Sequence, residues 1–119
     1  MARALKILAQ AELGTSSATV YTVPTGLMTS FGSRDLYSAV VSSLVLCNRN
    51  AATKYFTVQV VPNGETPANK HIIFNERNLT TDSTDVISLG MGLLAGDKID
   101  MLAEATSSIS VTIFGIESS

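Results

Sequence analysis

Several residues on which small proteins build chemistry are scarce in this sequence. The 119 residues include one Cys, one His and no Trp. A single Cys cannot form an internal disulfide, and one Cys with one His cannot supply the four ligands of a structural zinc site. Charged residues make up only 15% of the chain, and 8 Lys and Arg stand against 10 Asp and Glu. Nucleic acid is therefore not an expected partner, because phosphate binding relies on clustered Lys and Arg.

Long hydrophobic runs and targeting signals are missing as well. No stretch reaches the ~20 consecutive apolar residues of a membrane helix. The N-terminal stretch MARALKILAQAELG is interrupted by Lys6, Gln10 and Glu12, and it ends in no small-residue cleavage site of the kind that a signal peptide needs. We therefore expect a soluble protein that folds inside the cell and has no membrane partner.

The residues that are abundant suit one β-domain. A length of 119 residues is typical of a single domain with its own core. Apolar residues make up 45% of the chain, which favours contact between some of this surface and another chain. The 27 Ser and Thr residues are scattered between short β-branched runs, as expected for strands and the turns that join them.

Alternation of apolar and polar residues, together with the turn residues, predicts about eight strands. The strongest is 38–48, a nearly continuous apolar run typical of a strand in the middle of a sandwich. Segments 97–105 and 108–117 alternate clearly, and we expect them to form a hairpin across residues 106–108. The apolar sets that share one face are Ile99, Met101 and Ala103 in the first segment and Ile109, Val111 and Ile113 in the second. The other predicted strands are 18–24, 54–62, 71–74, 84–91 and one near the N-terminus.

The N-terminal segment 1–17 has two interpretations. Ala4 and Leu8 have helical spacing, whereas Leu5 and Ile7 alternate with polar residues as in a strand. Helix propensity favours the first interpretation, but the all-β context favours an arm or strand. Taken together, the pattern predicts an all-β fold, a single β-sandwich of the jelly-roll kind over residues 1–119.

No reactive side chain has the neighbours that catalysis needs. His71 is the one imidazole, and there is no G-x-S-x-G motif, so we expect a polar residue at a strand edge or a subunit contact. Cys47 lies in the most apolar predicted strand, and we expect a core position in which burial keeps the thiol inert. The sequence predicts no catalytic residue, no cofactor and no metal.

Two weaker patterns have ordinary explanations. Gly90, Gly92 and Gly96 approach the spacing of a dinucleotide-binding loop, but the last interval is one residue too long and no βαβ unit surrounds them. We interpret them as turn and bulge glycines. Asp82 and Asp85 are too few for calcium, which takes six to eight oxygen ligands, and we expect them in a solvated loop.

The predicted loop 25–37 is unusually apolar. Loops are normally polar because they run over the surface, whereas this one combines turn formers with large apolar side chains. Such side chains must either fold back on the core or be covered by a neighbouring molecule. We favour the second explanation, because Met and aromatic residues are enriched at protein interfaces, and a charged pair would fix register at the rim. We expect Phe31→Ala combined with Met28→Ala to weaken assembly, measured by light scattering, and to leave the protomer folded. The candidate interface residues are Leu27, Met28, Phe31, Arg34, Asp35, Leu36 and Tyr37.

Six stretches of the sequence follow one another in an informative order. They are VYTVPTG (20–26), AVVSSLVLCNRN (39–50), FTVQVVPNG (56–64), NKHIIFNE (69–76), ISLGMGLLAGDKI (87–99) and SISVTIFGIE (108–117). This ordered set resembles small structural proteins of tailed bacteriophages. The resemblance implies a β-sandwich virion protein without enzymatic activity, placed on the capsid as a decoration (cement) protein or on the tail. In that family the chain passes directly from P-x-G into the central strand, whereas residues 27–38 intervene here.

We therefore expect a non-enzymatic structural component of a tailed-phage virion. Its expected partners are copies of itself, as a trimer or larger ring, and major capsid or tail proteins, after folding in the host cytoplasm. The alternative is a receptor- or carbohydrate-binding module of a tail fibre or baseplate. No Trp and three Tyr provide little for stacking on sugars, and glycan binding by the isolated protein would favour that alternative. An enzyme is the class that we expect least.

Overall fold

The computed structural model describes residues 4–24 and 38–118. Over this part of the chain the regular structure is strand, apart from one 3₁₀ turn at Asn69–His71. The same residues include no helix long and apolar enough to cross a membrane. The described strands are β1 (Lys6–Glu12), β2 (Ala18–Thr22), β3 (Ser38–Asn48), β4 (Lys54–Val61), β5 (Ile72–Leu79), β6 (Thr84–Leu94), β7 (Lys98–Ala103) and β8 (Ile109–Ser118).

These strands form two four-stranded antiparallel sheets, which confirms the predicted β-sandwich. The first sheet has the order β1-β8-β3-β6 and the second has the order β2-β7-β4-β5. The pairing is nested, since β1 pairs with β8, β2 with β7, β3 with β6 and β4 with β5. Nested pairing of eight strands in two sheets is the jelly-roll arrangement.

The core lies between the two sheets and follows the predicted alternation. In β7 the side chains of Ile99, Met101 and Ala103 face inward and are buried, as predicted. Burying a side chain as large as Val, Leu or Ile contributes roughly 1.5–3 kcal/mol, so the inner faces supply most of the stability. The largest fully buried side chains of the main core are Phe56, Leu44, Leu46, Ile99, Met101, Ile109, Ile113, Val23, Val41, Val58 and Val111.

A polar cluster ties the two sheets together at one end of the sandwich. The Tyr21 hydroxyl, on β2, donates a hydrogen bond to the carboxylate of Glu117, on β8. Lys6 approaches the same carboxylate at 2.9 Å. Burial, followed by the hydrogen bond to Glu117, raises the pKa of Tyr21 above its ordinary value of 10.0. Burial acts to raise the pKa of Glu117, but hydrogen bonds from Tyr21 and Lys6 outweigh it and lower that pKa.

The N-terminal segment forms a strand in this structure. β1 pairs with β8 from Lys6 opposite Gly115 to Glu12 opposite Ser110, with a bulge at Leu8. A Cβ atom at Gly115 would collide with the Val40 carbonyl oxygen and the Leu8 side chain, so β8 needs glycine where it passes β3. Sheet pairing therefore overrides the helix propensity of this segment.

The predicted hairpin between segments 97–105 and 108–117 is wrong. β7 pairs with β2 and β4 in the second sheet, whereas β8 pairs with β1 and β3 in the first. Residues 104–108 cross from one sheet to the other, and Ser107 there has a φ of 59°. Alternation identifies which residues face the core, but it does not identify the partner of a strand. Two consecutive strands show the same alternation whether they lie in one sheet or in the two facing sheets.

The predicted strand 71–74 differs from the structure at both ends. His71 belongs to the 3₁₀ turn, and β5 extends from Ile72 to Leu79. The continuation was missed because Asn75 to Asn78 are polar and exposed. β5 is an edge strand of the second sheet, and side chains at such an edge are free to be polar on both faces.

Candidate interaction surface

The outer face of the first sheet is the most unusual surface of the described residues. Residues directly opposite one another in antiparallel strands share a face of the sheet. Along each strand, residues that point into the core alternate with residues that point away from it. We call the outward-facing side the first outer face. Three rows cross it from β8 through β3 to β6: Ile116–Val40–Gly92, Phe114–Ser43–Ser88 and Thr112–Val45–Val86.

Large apolar side chains are exposed on this face. Val40 is 49% exposed, Val86 is 60% and Leu94 is 71%. Ile7 on β1, opposite Phe114, is also exposed. Among the described residues the second sheet contributes one comparable side chain, Ile73. Isolated exposed hydrophobics are ordinary, whereas a contiguous group marks an interaction site.

The three rows contain no charged side chain. Ion pairs occur at the borders of the sheet, where Glu12 and Arg49 lie 2.7 Å apart. Arg49 also donates to the carbonyl oxygen of Ser107 at 2.9 Å. The first outer face therefore offers apolar and hydroxyl contacts, with a charged pair at one corner.

The two glycines inside β6 have different settings. Gly90 lies at the bulge where residues 89 and 90 stand opposite Ser42 of β3, as predicted for a bulge glycine, whereas Gly92 has no local explanation within the described structure. Gly90 and Gly92 do not have the left-handed backbone conformation. A Cβ atom placed on either would meet nothing within 4 Å among the described residues. Glycine in a strand interior is unfavourable by roughly 0.5–1 kcal/mol relative to Ala. Such positions occur where another backbone or a ligand comes close.

The outer face of the second sheet, which we call the second outer face, is different. Asp100 on β7 is only 5% exposed, and its carboxylate accepts a hydrogen bond from the Thr19 hydroxyl at 2.7 Å. The hydroxyl of the buried Thr57 accepts a hydrogen bond from the Glu76 backbone N–H at 3.0 Å. Val61, opposite Lys98, is completely buried and lies outside the main core cluster.

The connection from β4 to β5 is held together by His71. The Nδ1 atom of His71 accepts a hydrogen bond from the backbone N–H of Ala68 at 3.0 Å. Because a backbone N–H can only donate, the proton of the neutral ring lies on Nε2, which donates to Glu65 Oε1 at 3.0 Å. Hydrogen bonds from His71 and then from Lys70 lower the pKa of the Glu65 carboxyl below its ordinary value. The 3₁₀ turn that contains His71 packs against β4.

His71 thus has a structural role in this loop. Its side chain is buried, and both ring nitrogens are bound to the same connection. The sequence predicted a polar residue at a strand edge or a subunit contact. His71 lies in the 3₁₀ turn directly before β5, which starts at Ile72, and the subunit contact stays a prediction. The burial was not foreseen, because it depends on the loop folding back against β4.

The expected core position of Cys47 is wrong. Its neighbours Leu46 and Asn48 are buried, whereas Cys47 is half-buried and points outward between Thr84 and Ser110. β3 is apolar on both of its faces, so its sequence does not show which parity faces the core. Cys47 therefore lies on the first outer face, in the row nearest the Glu12 corner.

The predicted interface residues cannot be compared with the structure, because Leu27, Met28, Phe31, Arg34, Asp35, Leu36 and Tyr37 lie outside the described residues. The first outer face was not predicted as a site. One signal could have found it: β3 is apolar at Val40, Val45 and Cys47 as well as at its inward positions. A strand of a two-sheet sandwich has one inner face, so apolar residues of the other parity need a second partner. Within the described residues, no group of three or more His, Cys, Asp or Glu is placed to hold a metal ion.

One solved structure has a similar fold. It is titled as the structure of infectious bursal disease virus, Gx strain, and one of its chains aligns with a TM-score of 0.51 and 11% sequence identity. The alignment covers 98% of this chain and 30% of that chain, so this chain spans less than a third of its length. At this identity the likeness shows the fold alone. No protein-family model matches the sequence, and no curated protein matches it.

Proposed function

We propose that this protein is a non-enzymatic structural component of a virus particle, and more narrowly of a tailed-bacteriophage particle. In this proposal it associates with copies of itself and attaches to the capsid, as a decoration protein, or to the tail. The observation that carries the proposal is the first outer face, a partly apolar sheet surface whose three central rows are uncharged and on which Val40, Val86 and Leu94 are exposed. A surface of this kind suits contact between proteins.

The fold supports the viral part of the proposal. Jelly rolls build many viral capsids, and the similar chain comes from a virus structure. The narrower assignment to tailed phages rests on the six ordered stretches of the sequence between Val20 and Glu117.

The environment of the reactive side chains favours a non-enzymatic role. Both nitrogens of His71 are bound within the β4–β5 connection, so the ring is not free to act as a base on a substrate. Cys47 lies between the hydroxyl residues Thr84 and Ser110 on neighbouring strands. The described residues opposite it carry no acid or base, and an activated thiol needs such a partner.

Labelling of intact particles tests the proposal. Particles of the virus that encodes the chain are purified and treated with gold-labelled antibody to the recombinant protein, with pre-immune serum as the control. We expect specific gold on the particles, on the head for a capsid decoration protein or along the tail for a tail protein. Particles that contain no such protein, by labelling and by mass spectrometry, would overturn the proposal. A glycan array tests the receptor-binding alternative separately.

A further inference from the structure

We propose that a second copy of this chain packs on the first outer face, sheet against sheet, so that two sandwiches form a dimer with two-fold symmetry. The inference rests on the proposed function, which expects copies of the chain to associate, and it adds the surface through which they do so. It differs from the expectation for residues 25–37, because the contact is built from described residues on β3, β6 and β8.

The size of the face agrees with a dimer contact. With a strand spacing of about 4.8 Å and a rise of about 3.4 Å per residue, the three strands β3, β6 and β8 have a face of about 500 Å². Two such faces in contact bury about 1,000 Å², which is the area that a specific protein interface needs to reach. A contribution from the border of the sheet would add to this area.

The chemistry of the face favours an identical partner. In a two-fold interface each patch meets itself, so a charged patch would meet its own charge. The three rows on β8, β3 and β6 contain no charge and avoid this repulsion. They also place large side chains beside small ones, with Phe114 next to Ser43 and Val40 next to Gly92. Facing sheets pack by interdigitating such side chains at a distance of about 10 Å.

Gly92 of β6 provides an independent argument. Neither the backbone conformation nor the described neighbours require glycine at this position, whereas Gly90 lies at the bulge opposite Ser42. Close approach of a second sheet would require it, because a side chain at position 92 would hold the two sheets apart. The second outer face is a poorer candidate, since its polar groups at Thr57 and Asp100 are already bound within the chain.

The oligomeric state of the purified full chain tests the inference. By sedimentation equilibrium we expect a species of about 25 kDa, twice the 12.5 kDa of one chain. The double variant Val40→Lys with Val86→Lys sets like charges against each other and should raise the Kd of the dimer by about a hundredfold or more. Gly92→Val fills open space in the protomer and should raise the Kd by about tenfold or more. The matched control Ile73→Lys, at an exposed apolar residue of the second sheet, should leave the Kd unchanged.

Cys47 reports which surface is covered. It is the single cysteine of the chain, and it lies on the first outer face. Its rate of alkylation by a maleimide should be at least tenfold lower at protein concentrations where the dimer forms than in the dilute protomer. Both lysine substitutions together should abolish that protection, and Ile73→Lys should preserve it. Circular dichroism checks that each variant is folded, and Gly92→Val gives a second readout if the lysine variant is not.

Three results would overturn the inference: a protomer at all concentrations, a trimer or ring that is insensitive to these substitutions, or a dimer in which Cys47 stays fully reactive. None of these results would contradict the proposed function in a virus particle, because gold labelling of particles is independent of the dimer. Conversely, a dimer that behaves as expected, from a chain absent from particles, would support this inference and contradict the proposed function.

Discussion

The two outer faces of the sandwich differ in their hydrogen bonds, in their charge and in how far their side chains are buried. On the second, Thr19 binds the buried carboxylate of Asp100, and the adjoining β4–β5 connection is fastened by His71. On the first, the hydrogen bonds between side chains in the described residues join Gln10 to Thr112 at 3.2 Å and Arg49 to Glu12 at 2.7 Å, and both are exposed. On the second outer face, buried polar groups are hydrogen-bonded within the chain, whereas on the first, large apolar side chains are exposed to solvent.

This difference separates stability from assembly. Both inner faces contribute to one core, so neither outer face is needed to make the sandwich. The second outer face still adds to stability, since its buried groups lose their partners when the chain unfolds. Changes on the first outer face should alter contacts with other molecules and have little effect on the folded protomer.

The largest contrast in stability is expected between two valine truncations. Val61→Ala, at a completely buried position on the second outer face, should lower the free energy of unfolding by about 2 kcal/mol, because it removes buried apolar surface and leaves a cavity. Val86→Ala, at a 60% exposed position on the first, should lower it by less than about 0.5 kcal/mol. Urea unfolding followed by circular dichroism, at concentrations where the protomer dominates, measures both. Equal losses would contradict the distinction between the faces.

A smaller contrast is expected between two threonines. Thr19→Val removes the hydroxyl that binds the buried Asp100 carboxylate at 2.7 Å, and it should lower the free energy of unfolding by about 1.5 kcal/mol. Thr112→Val removes the acceptor of the exposed Gln10 bond and should change it by less than about 0.5 kcal/mol. Both substitutions keep the branched shape, so the same urea experiment isolates the hydroxyl. A large loss in the free energy of unfolding for Thr112→Val, with none for Thr19→Val, would show that the first outer face and not the second contributes to stability.

The smallest effect concerns pH and the loop carboxylate. Hydrogen bonds from His71 and Lys70 lower the pKa of Glu65 below its ordinary value of 4.5. A carboxyl group with a lowered folded pKa stabilises the protein above its unfolded pKa, and this contribution is lost as pH falls through the lowered value. The stability difference between wild type and Glu65→Gln should therefore shrink as pH falls from about 5 to 3.

Thermal unfolding across that pH range measures the difference. Glu117, whose pKa is also lowered, is present in both proteins and cancels. A difference that stays constant over the whole range would show that the loop contacts of Glu65 do not depend on its charge.

Part of the fold could be predicted from residue patterns, and β7 and β8 show where the limit lies. The inward sets Ile99, Met101 and Ala103, and Ile109, Val111 and Ile113, were correctly identified, because burial of one face imposes a period of two. Their pairing was wrong, because β7 and β8 lie in different sheets, as do all consecutive strands of this jelly roll except β4 and β5. The candidate site was also missed. Both alternating sets of β3 residues are apolar, and which set faces solvent depends on the strands β6 and β8 that pair with it.

The sequence by itself determined the all-β class, the approximate number of strands and most inward-facing residues of β7 and β8. These follow from local alternation and turn residues, which act within a few positions of the chain. Only the tertiary structure decided that β1 lies beside β8, that Cys47 points outward and that one outer face has its polar groups bound while the other is uncharged in its three central rows. The reason is physical: the pairing of β1 with β8 joins residues about a hundred positions apart, and the energy of strand pairing comes from packing and hydrogen bonds that exist only once both sheets have formed.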